Sequence, residues 1–562
     1  MEHGRRREEQ SQLLRQRSLS SSSEEQFSDE LELDAFDGVN SKEAYPNIQS
    51  NWWKRMRRRI WQGQRHNSKV AKARRRRSLC GRVCYIASYI PYLLITLIVF
   101  YAIFLPSYSR PPERYFELRK RVEASKRPGA ANSNNEKVFI AASLYDKEGE
   151  LLSGDWGDSV RQLVDILGKD NVFVSIYENN PDDKSKAAMD KLKSDLPCEL
   201  YIKYEHLDKS KLPHVTLPDG SQPLQRIAFL ADVRNRALRP LDDKQSPAYN
   251  TRWDKLLYIN DVSFDPIDAA NLLFNTHADE STGKTNYRAA CAVDFINPFK
   301  FYDTFATRDL DGYDMGVPFY PWFTGAGNAT SRRDVLSQTD AVRVKSCWGG
   351  MVSLEAKWFQ PHLYEVAGSD LVIPGQGKSG TVTHDIPPLR FRAETDTYWD
   401  ASECCLINAD LSHLPLDNTT GPTLGTSDGE TGIYMNPYVR VAYDKATLNR
   451  LPYTRRIERL YPLIHSIVNV IGSRPGFNPR QWEQPGDKVV DRVWTWDAES
   501  EAAIEKGTVE KLPNGLKGAF EAVERTATPG RFCGGRKLLY FKEDAKDGES
   551  PWGSAHVPDS KR

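Results

Sequence analysis

With 562 residues, 39% of them hydrophobic, the chain can bury a full α/β core and still carry extensions. Its formal net charge of +1 is unevenly spread. Arg5–Arg7, Arg57–Arg59 and Arg74–Arg77 make the first part strongly basic and leave the remainder mildly acidic. A basic end can be a nucleic-acid arm, but the uncharged run directly after this one argues for a membrane and against nucleic acid.

Residues 1–82, rich in Ser, Glu, Arg and Gln, have the composition of a disordered basic cytosolic tail. Val83 to Leu105 then runs for 23 residues without a charge. A helix of that length covers a hydrocarbon core of roughly 30 Å. Pro91 predicts a kink, and Tyr85, Tyr89 and Tyr101 suit the interfaces. A buried core helix is the alternative. The run is far from residue 1 and lacks a small-residue cleavage site, so it reads as a signal anchor. The arginines before it predict a single-pass, type II topology, with the large carboxyl-terminal part in the lumen of the Golgi or another secretory-pathway compartment. Two sequons, at Asn328 and Asn418, fall on that side. Cys198, Cys291, Cys347, Cys404, Cys405 and Cys533 would meet an oxidising lumen, so some disulfides are expected, without a connectivity. Cys80 and Cys84 sit at the cytosolic membrane edge.

Residues 106–135 are polar and predict a stem. Globular patterning starts at Lys137, giving a domain over 136–473. Val138–Tyr145 and Val172–Asn179 are buried strands, and Asp155–Leu167 is an amphipathic helix with Val160, Leu163, Val164 and Leu167 on one face. A helix from Asp183 to Leu196 and the strand LYIKYE follow. A further helix begins at Arg226, then the strand Lys255–Ile259, a helix over Asp265–Phe274 and the strand AACAVDF. Alternation of this kind predicts βαβ units and a parallel sheet. From Phe299 the chain turns aromatic and irregular. Residues 474–562, rich in Trp, Pro, Gly and charge, form an extension that wraps the core or makes a small appendage.

The strand Lys255–Ile259 delivers Asn260 and Asp261 at its carboxyl end, where ligands bind in open α/β sheets. A carboxylate there can hold Mn2+ or Mg2+ against a diphosphate, with the cation as Lewis acid and template. The position two before Asp261 is Ile259, so a second carboxylate at Asp-x-Asp spacing is absent. Asn260 through its amide oxygen, or Asp265, would complete the set. Otherwise Asp261 caps the following turn.

VFIAASLY, VSIYENNPDD, LADVRNRAL, LLYINDVSF, AACAVDF, FYDTFATRD, VKSCWGGMV, FR and SECCL occur in an order that resembles the fungal capsule-associated α-1,3-mannosyltransferase family, over about Val138 to Tyr443. The resemblance implies a GT-A (Rossmann-like) glycosyltransferase domain. It implies transfer of mannose from GDP-mannose to a mannose-containing glycan, with retention and with Mn2+ (or Mg2+) as cofactor. On that fold Arg234 and Asn235 would face the nucleotide-sugar; the alternative for Arg234 is a surface ion pair with Asp232. Glu178 and Asp182 would touch base or ribose, and Gly349 and Gly350 would close over the donor sugar, unless they make an ordinary turn. Glu403 would meet the acceptor hydroxyl, or else pair with Arg390 or Arg392. Arg234 and Asp294 join Glu403 as candidate catalytic groups. Asp303, Arg308, Asp309 and Trp322 are candidate acceptor contacts. His384-Asp385 and His413 compete for a late metal contact. Another nucleotide-sugar donor, or a non-catalytic scaffold for glycan assembly or export, remain as alternatives on the same fold.

Overall fold

The computed structural model of the chain describes residues 85, 87–125, 127–360, 387–414, 431–509, 515–542 and 550–558. The basic tail, Asn418, His384-Asp385, Cys80 and Cys84 lie outside the described residues. The chain forms two units, Met1–Thr96 with Glu543–Pro551, and Leu97–Lys542 with Trp552–Arg562. Every strand and the candidate site belong to the second.

The expected membrane-crossing helix over 83–105 is not found at that length. The apolar helix α1 covers Ile90–Phe104, 15 residues with none buried. That rises about 22 Å, and among the described residues no helix is long and apolar enough to cross a membrane. Pro91 is second in this helix, a first-turn position where a proline loses no hydrogen bond; residues 85 and 87 before it are helical as well. The stem is also absent as a separate segment. Ser107 and Tyr108 are buried, and the Tyr108 ring packs edge-on to Tyr438 at 4.8 Å. Helix α2, Glu113–Ala124, turns Tyr115 and Leu118 inward. Its Arg119 bonds Asp265 and Asp268. The polar look of this stretch comes from one outward face of a packed helix.

A nine-stranded sheet in the order β3-β2-β1-β4-β8-β5-β10-β7-β6 forms the centre. Strands β1 (Val138–Leu144), β2 (Val172–Asn179), β3 (Glu199–Glu205) and β4 (Lys255–Ile259) run parallel, as expected. Side-chain alternation divides them between two cores. Val138, Ile140 and Val174 face helix α3 (Asp155–Leu167), whose Val160, Leu163, Val164 and Leu167 are all fully buried. Phe139, Ala141, Phe173 and Tyr177 face helix α5 (Arg226–Leu238), while α4 (Asp183–Asp195) lies beside β3. Helix α6 (Pro266–Asn275) and strand β5 (Ala289–Phe295) continue the winding.

The parallel pattern then breaks. β6 (Arg308–Asp309) and β7 (Val342–Ser346) lie at the far edge, with helix α7 (Thr330–Ser337) beside β7. The turn after β7 sends β8 (Met351–Glu355) back antiparallel between β4 and β5. β9 (Asp400–Ala401), helix α8 (Glu403–Ser412) and β10 (Ile433–Ala442) come after it, β10 parallel to β5. Helices α9 (Lys445–Thr454) and α10 (Pro462–Ile471) come next.

In the extension, β11 (Lys488–Trp496) pairs with β12 (Gly518–Thr526). Its tail adds β13 (Gly534–Gly535) to β9, and β14 (Leu539–Phe541) pairs with β15 (Trp552–Ser554). Disulfides join Cys291 to Cys347 and Cys405 to Cys533; Cys198 and Cys404 are free. The Cys405–Cys533 bridge, across a sequence separation of 128, ties the extension onto α8. Peptide mapping without reduction will recover these two pairs. Cys533→Ser will lower stability by about 2–5 kcal/mol and expose the chain after residue 533 to protease; unchanged melting and digestion would show that the extension holds without its staple.

Candidate functional site

The hollow lies outside the carboxyl end of β4. Asp261 is open to solvent, yet dense surrounding protein raises its carboxyl above the ordinary range, with Arg234 pulling the other way. Arg234, from α5, is the hub beside it. Its Nε donates to Glu403 Oε1 at 2.9 Å and its NH1 to Asn260 Oδ1 at 3.1 Å. The guanidinium lies over Trp348 at 4.7 Å, Tyr258 at 5.4 Å and Phe391 at 5.8 Å. Burial works against the charge, but Cys404 and Glu403 outweigh it and hold the guanidinium pKa up. Arg234 therefore pairs with Glu403, while Asp232 bonds Arg236, Arg390 bonds Asp242 and Arg392 bonds Asp410.

Glu403 opens α8 behind the Ser402 N-cap, whose hydroxyl accepts from Cys404 N. The helix start favours an acid there. Its Oε1 serves both Arg234 and the Cys404 thiol at 3.4 Å; Oε2 takes no part in these bonds. Asn260 departs from expectation. Its amide oxygen accepts from Arg234 and from Trp348 Nε1 at 3.1 Å, and its carbonyl from Trp156 Nε1 at 2.8 Å. That oxygen is committed to the protein and is not left for a cation. Asp265 caps α6 through Ile267 N and bonds Arg119, so it does not join Asp261 either.

The turn at Trp348-Gly349-Gly350 is held by Asp303, whose Oδ2 accepts from Trp348 N at 2.9 Å, Gly349 N at 3.1 Å and Thr307 Oγ1 at 2.9 Å. Asp303 thus builds the turn from below, where an acceptor contact was expected. Both glycines have positive φ, and a Cβ on Gly349 would stand 2.0 Å from Ala292 O. The missing side chain is taken up by strand β5, not by a ligand's approach. Asp294, 1% exposed, accepts from Asp303 N and from the Tyr443 hydroxyl at 3.3 Å. Burial, and then Asp303, raise its carboxyl well above normal.

Several other candidates are placed elsewhere. Trp322 is fully buried against Phe295, Phe301 and Tyr320, a core residue that no acceptor reaches. Arg308, 7% exposed, donates to the carbonyls of Phe532 and Cys533 and so clamps the extension. Asp309 accepts from Tyr313 N at 2.8 Å. Asn235 makes a reciprocal pair with the Phe391 backbone, both bonds at 2.8 Å, which fixes the strip bearing that ring. Asp182 caps α4 through Ser185 N and also accepts from Glu148 N, which together lower its pKa. Glu178 is 1% exposed at the end of β2, bonded to Ser185 and Asp146 N, with Oε2 buried and unpartnered. His413 is exposed at the C-cap of α8, at the far end from Glu403.

Two groups near the site, Tyr443 and Arg226, were not singled out by sequence, whereas Tyr302 was noted as an aromatic beside the candidate sugar contacts. Tyr443, just past β10, has its hydroxyl pushed well up by burial, then by Asp294, Tyr302 and Asp261, so it stands within electrostatic reach of all three. Tyr302 packs on it at 4.4 Å between ring centroids. Arg226, at the start of α5, faces Glu403, Tyr302 and Asp400 and lies over Trp552 at 5.1 Å. Its position about two turns before Arg234 on the same helix was the available signal.

Among the described residues, no group of three or more His, Cys, Asp or Glu could hold a metal. The donor set reduces to Asp261, an oxygen ligand with no side chain bonded to it. A lone carboxylate fits Mn2+ or Mg2+ carried mainly by substrate phosphates; it does not make an all-protein cage.

Residues 137–410 match the family model described as Cryptococcal mannosyltransferase 1. No curated protein matches the chain. Among solved structures, the mannosyltransferase PcManGT from Pyrobaculum calidifontis in complex with GDP-Man and Mn2+ aligns over 71% of this chain and 78% of its own, at 12% identity and a TM-score of 0.28. That score is too low to carry an argument. The family match, running from β1 into α8, supports a glycosyltransferase.

Arg234→Met will cost about 3–5 kcal/mol, because it strands a buried carboxylate. Combined with Glu403→Gln the loss will be less than the sum, as denaturant titration of the four proteins will show. Asp309 provides a pH test. Burial raises its carboxyl to about 7, so the folded state holds this proton more tightly than the unfolded chain. Its contribution is intact below the unfolded value of 3.8 and is lost as pH rises to 7, by at most roughly 4 kcal/mol. Asp309→Asn will therefore gain on the parent in melting temperature at pH 8 and match it near pH 4.

Proposed function

We propose that the chain is a mannosyltransferase with a GT-A type domain, moving mannose from GDP-mannose to a mannose-containing glycan in α-1,3 linkage with retention. We place it in a Golgi or other secretory-pathway membrane, type II and single-pass, attached through the apolar run 83–105. One observation carries the catalytic reading. The family match over 137–410 covers the segment that supplies Asp261, Arg234 and Glu403 to one hollow. The two disulfides agree with an oxidising compartment.

Asp261 marks the diphosphate end. Held by Asp261, Mn2+ or Mg2+ supplies the neutralising charge a departing diphosphate needs. Arg234 holds Glu403 through Nε and Asn260 through NH1, so the end of β4 and the start of α8 are tied to one guanidinium. Glu403 Oε2 is the oxygen left to orient an acceptor hydroxyl. Trp348 and Tyr443 wall the space between, and exclusion of water there protects a reactive sugar from hydrolysis.

The test uses the full chain in detergent with GDP-mannose, Mn2+ and an α-mannoside. Asp261→Asn will cut transfer at least a hundredfold, on the order of 3 kcal/mol, while leaving the melting temperature within a degree or two. Undiminished transfer would remove Asp261 from the site. The lone carboxylate also favours a second reading, a non-catalytic scaffold with the same fold. Failure of GDP-mannose and of other nucleotide-sugars to raise the melting temperature, with and without Mn2+, would decide for it.

A further inference from the structure

Helix α10 is inside out for a helix that faces water. Its buried side chains are polar, His465 at 0% and Asn469 at 4% exposure. Asn469 Oδ1 accepts from Val317 N at 2.8 Å, and its Nδ2 donates to His465 Nδ1 at 2.9 Å. With Nδ1 accepting, His465 Nε2 donates to Val317 O at 3.2 Å, and burial, which pushes the imidazole down to about 4, agrees with a neutral ring. The outward side carries Leu463 at 72%, Ile467 at 51%, Val470 at 80% and Ile471 at 78% exposure, continued by Phe477 at 92%. A water-facing amphipathic helix has the opposite arrangement, and a contiguous apolar patch of this kind marks a contact surface.

Its surroundings say what it contacts. The segment just before α10 is bound to the end of apolar helix α1: Arg456 Nε donates to Ala102 O at 2.9 Å, and Ser107 N donates to Arg455 O at 3.2 Å. No spacer intervenes, since Leu105 is exposed and Ser107 is already fully buried. Phe100, Ile103 and Phe104 on the last turns of α1 are exposed by 47%, 55% and 60%. Two bare apolar surfaces of one unit are therefore linked by hydrogen bonds. The segment just before α10 carries Arg450, exposed, and Arg455, Arg456 and Arg459, half-buried, with a single acid, Glu458, which is buried against Arg440 at 2.7 Å. A second copy would bring a like-charged rim against this one, whereas lipid phosphates complement it.

We propose that the outward face of α10, with Phe477, lies in the interfacial layer of the lipid bilayer that receives the apolar run ending at Leu105. This rests on the membrane attachment proposed above. The catalytic unit is then seated on the headgroups at two points and does not swing on a stalk.

The full chain, with Cys80, Cys84 and Cys198 replaced by Ser, is reconstituted in phosphatidylcholine vesicles containing phosphatidylserine. A bimane label is placed at Val470→Cys, at Phe477→Cys or, as a reference on α4, at Asp183→Cys. Nitroxides on the lipid chains should quench the labels at 470 and 477 several-fold more than the one at 183, and aqueous iodide should show the reverse order. A chain that floats with the vesicles while iodide reaches 470 and 477 as freely as 183 overturns the inference and leaves the attachment standing. Absence of flotation overturns both. Labels shielded from both quenchers, with cross-linking between two copies through position 470, would assign the face to a second chain and overturn the lipid assignment.

Discussion

The site depends on one guanidinium. Arg234 joins two parts of the chain that are far apart in sequence, the end of β4 through Asn260 and the start of α8 through Glu403. Its charge is boxed by Tyr258, Trp348 and Phe391. Aromatic faces can stabilise a cation without neutralising it, so the field of Arg234 still reaches Asp261. A lysine could not do the same work, because a planar fork is needed to serve two acceptors at fixed angles.

That arrangement fixes what Asn260 can do. Each bond it accepts from Arg234 and Trp348 removes acceptor capacity from the cleft. Among the described residues Asp261 is left as the carboxylate for a cation, which must take most of its oxygens from the substrate. Beneath it Asp303 plays the matching part. It accepts from Ala306 N and Thr307 Oγ1 as well as from the Trp348-Gly349 turn, so the turn and the irregular segment share one anchor. Its carboxyl is raised chiefly by burial, which is tolerable only because those donors are supplied.

The strands and helices up to β5 were legible because their periodicity is strong and local. β2 and β4 have the bounds read from the sequence, with every residue buried. The prominence of Asp261 followed from its position just past the end of β4, and that of Arg234 from the family resemblance. Their partners were not legible: Arg234 and Glu403 lie 169 residues apart, and no local pattern selects that pairing over Arg390 or Arg392. The acid-rich segment misled for a related reason. Asp303, Arg308 and Asp309 look like surface groups ready for a sugar, yet each is consumed by backbone donors or carbonyls that an irregular chain leaves unsatisfied. Trp322 misled as well, since an aromatic side chain in an irregular stretch is compatible with a core or a sugar platform, and here it is the core.

The supposed stem and α10 show the same ambiguity from opposite sides. Hydropathy assigned residues 106–135 to solvent because charges dominate them, but Tyr108, Tyr115 and Leu118 suffice to seat that segment on the domain. In α10 the apolar residues outnumber the polar ones and would be assigned inward, while His465 and Asn469 are what the domain takes in. Hydrogen bonds to Val317 decide this orientation, because a helix face that satisfies a buried backbone N–H and C=O removes a penalty that apolar side chains there would leave in place. The direction in which a helix faces is thus set by the partner waiting for it. The apolar side turned outward is the consequence, and it comes directly after the segment that is hydrogen-bonded to the end of α1.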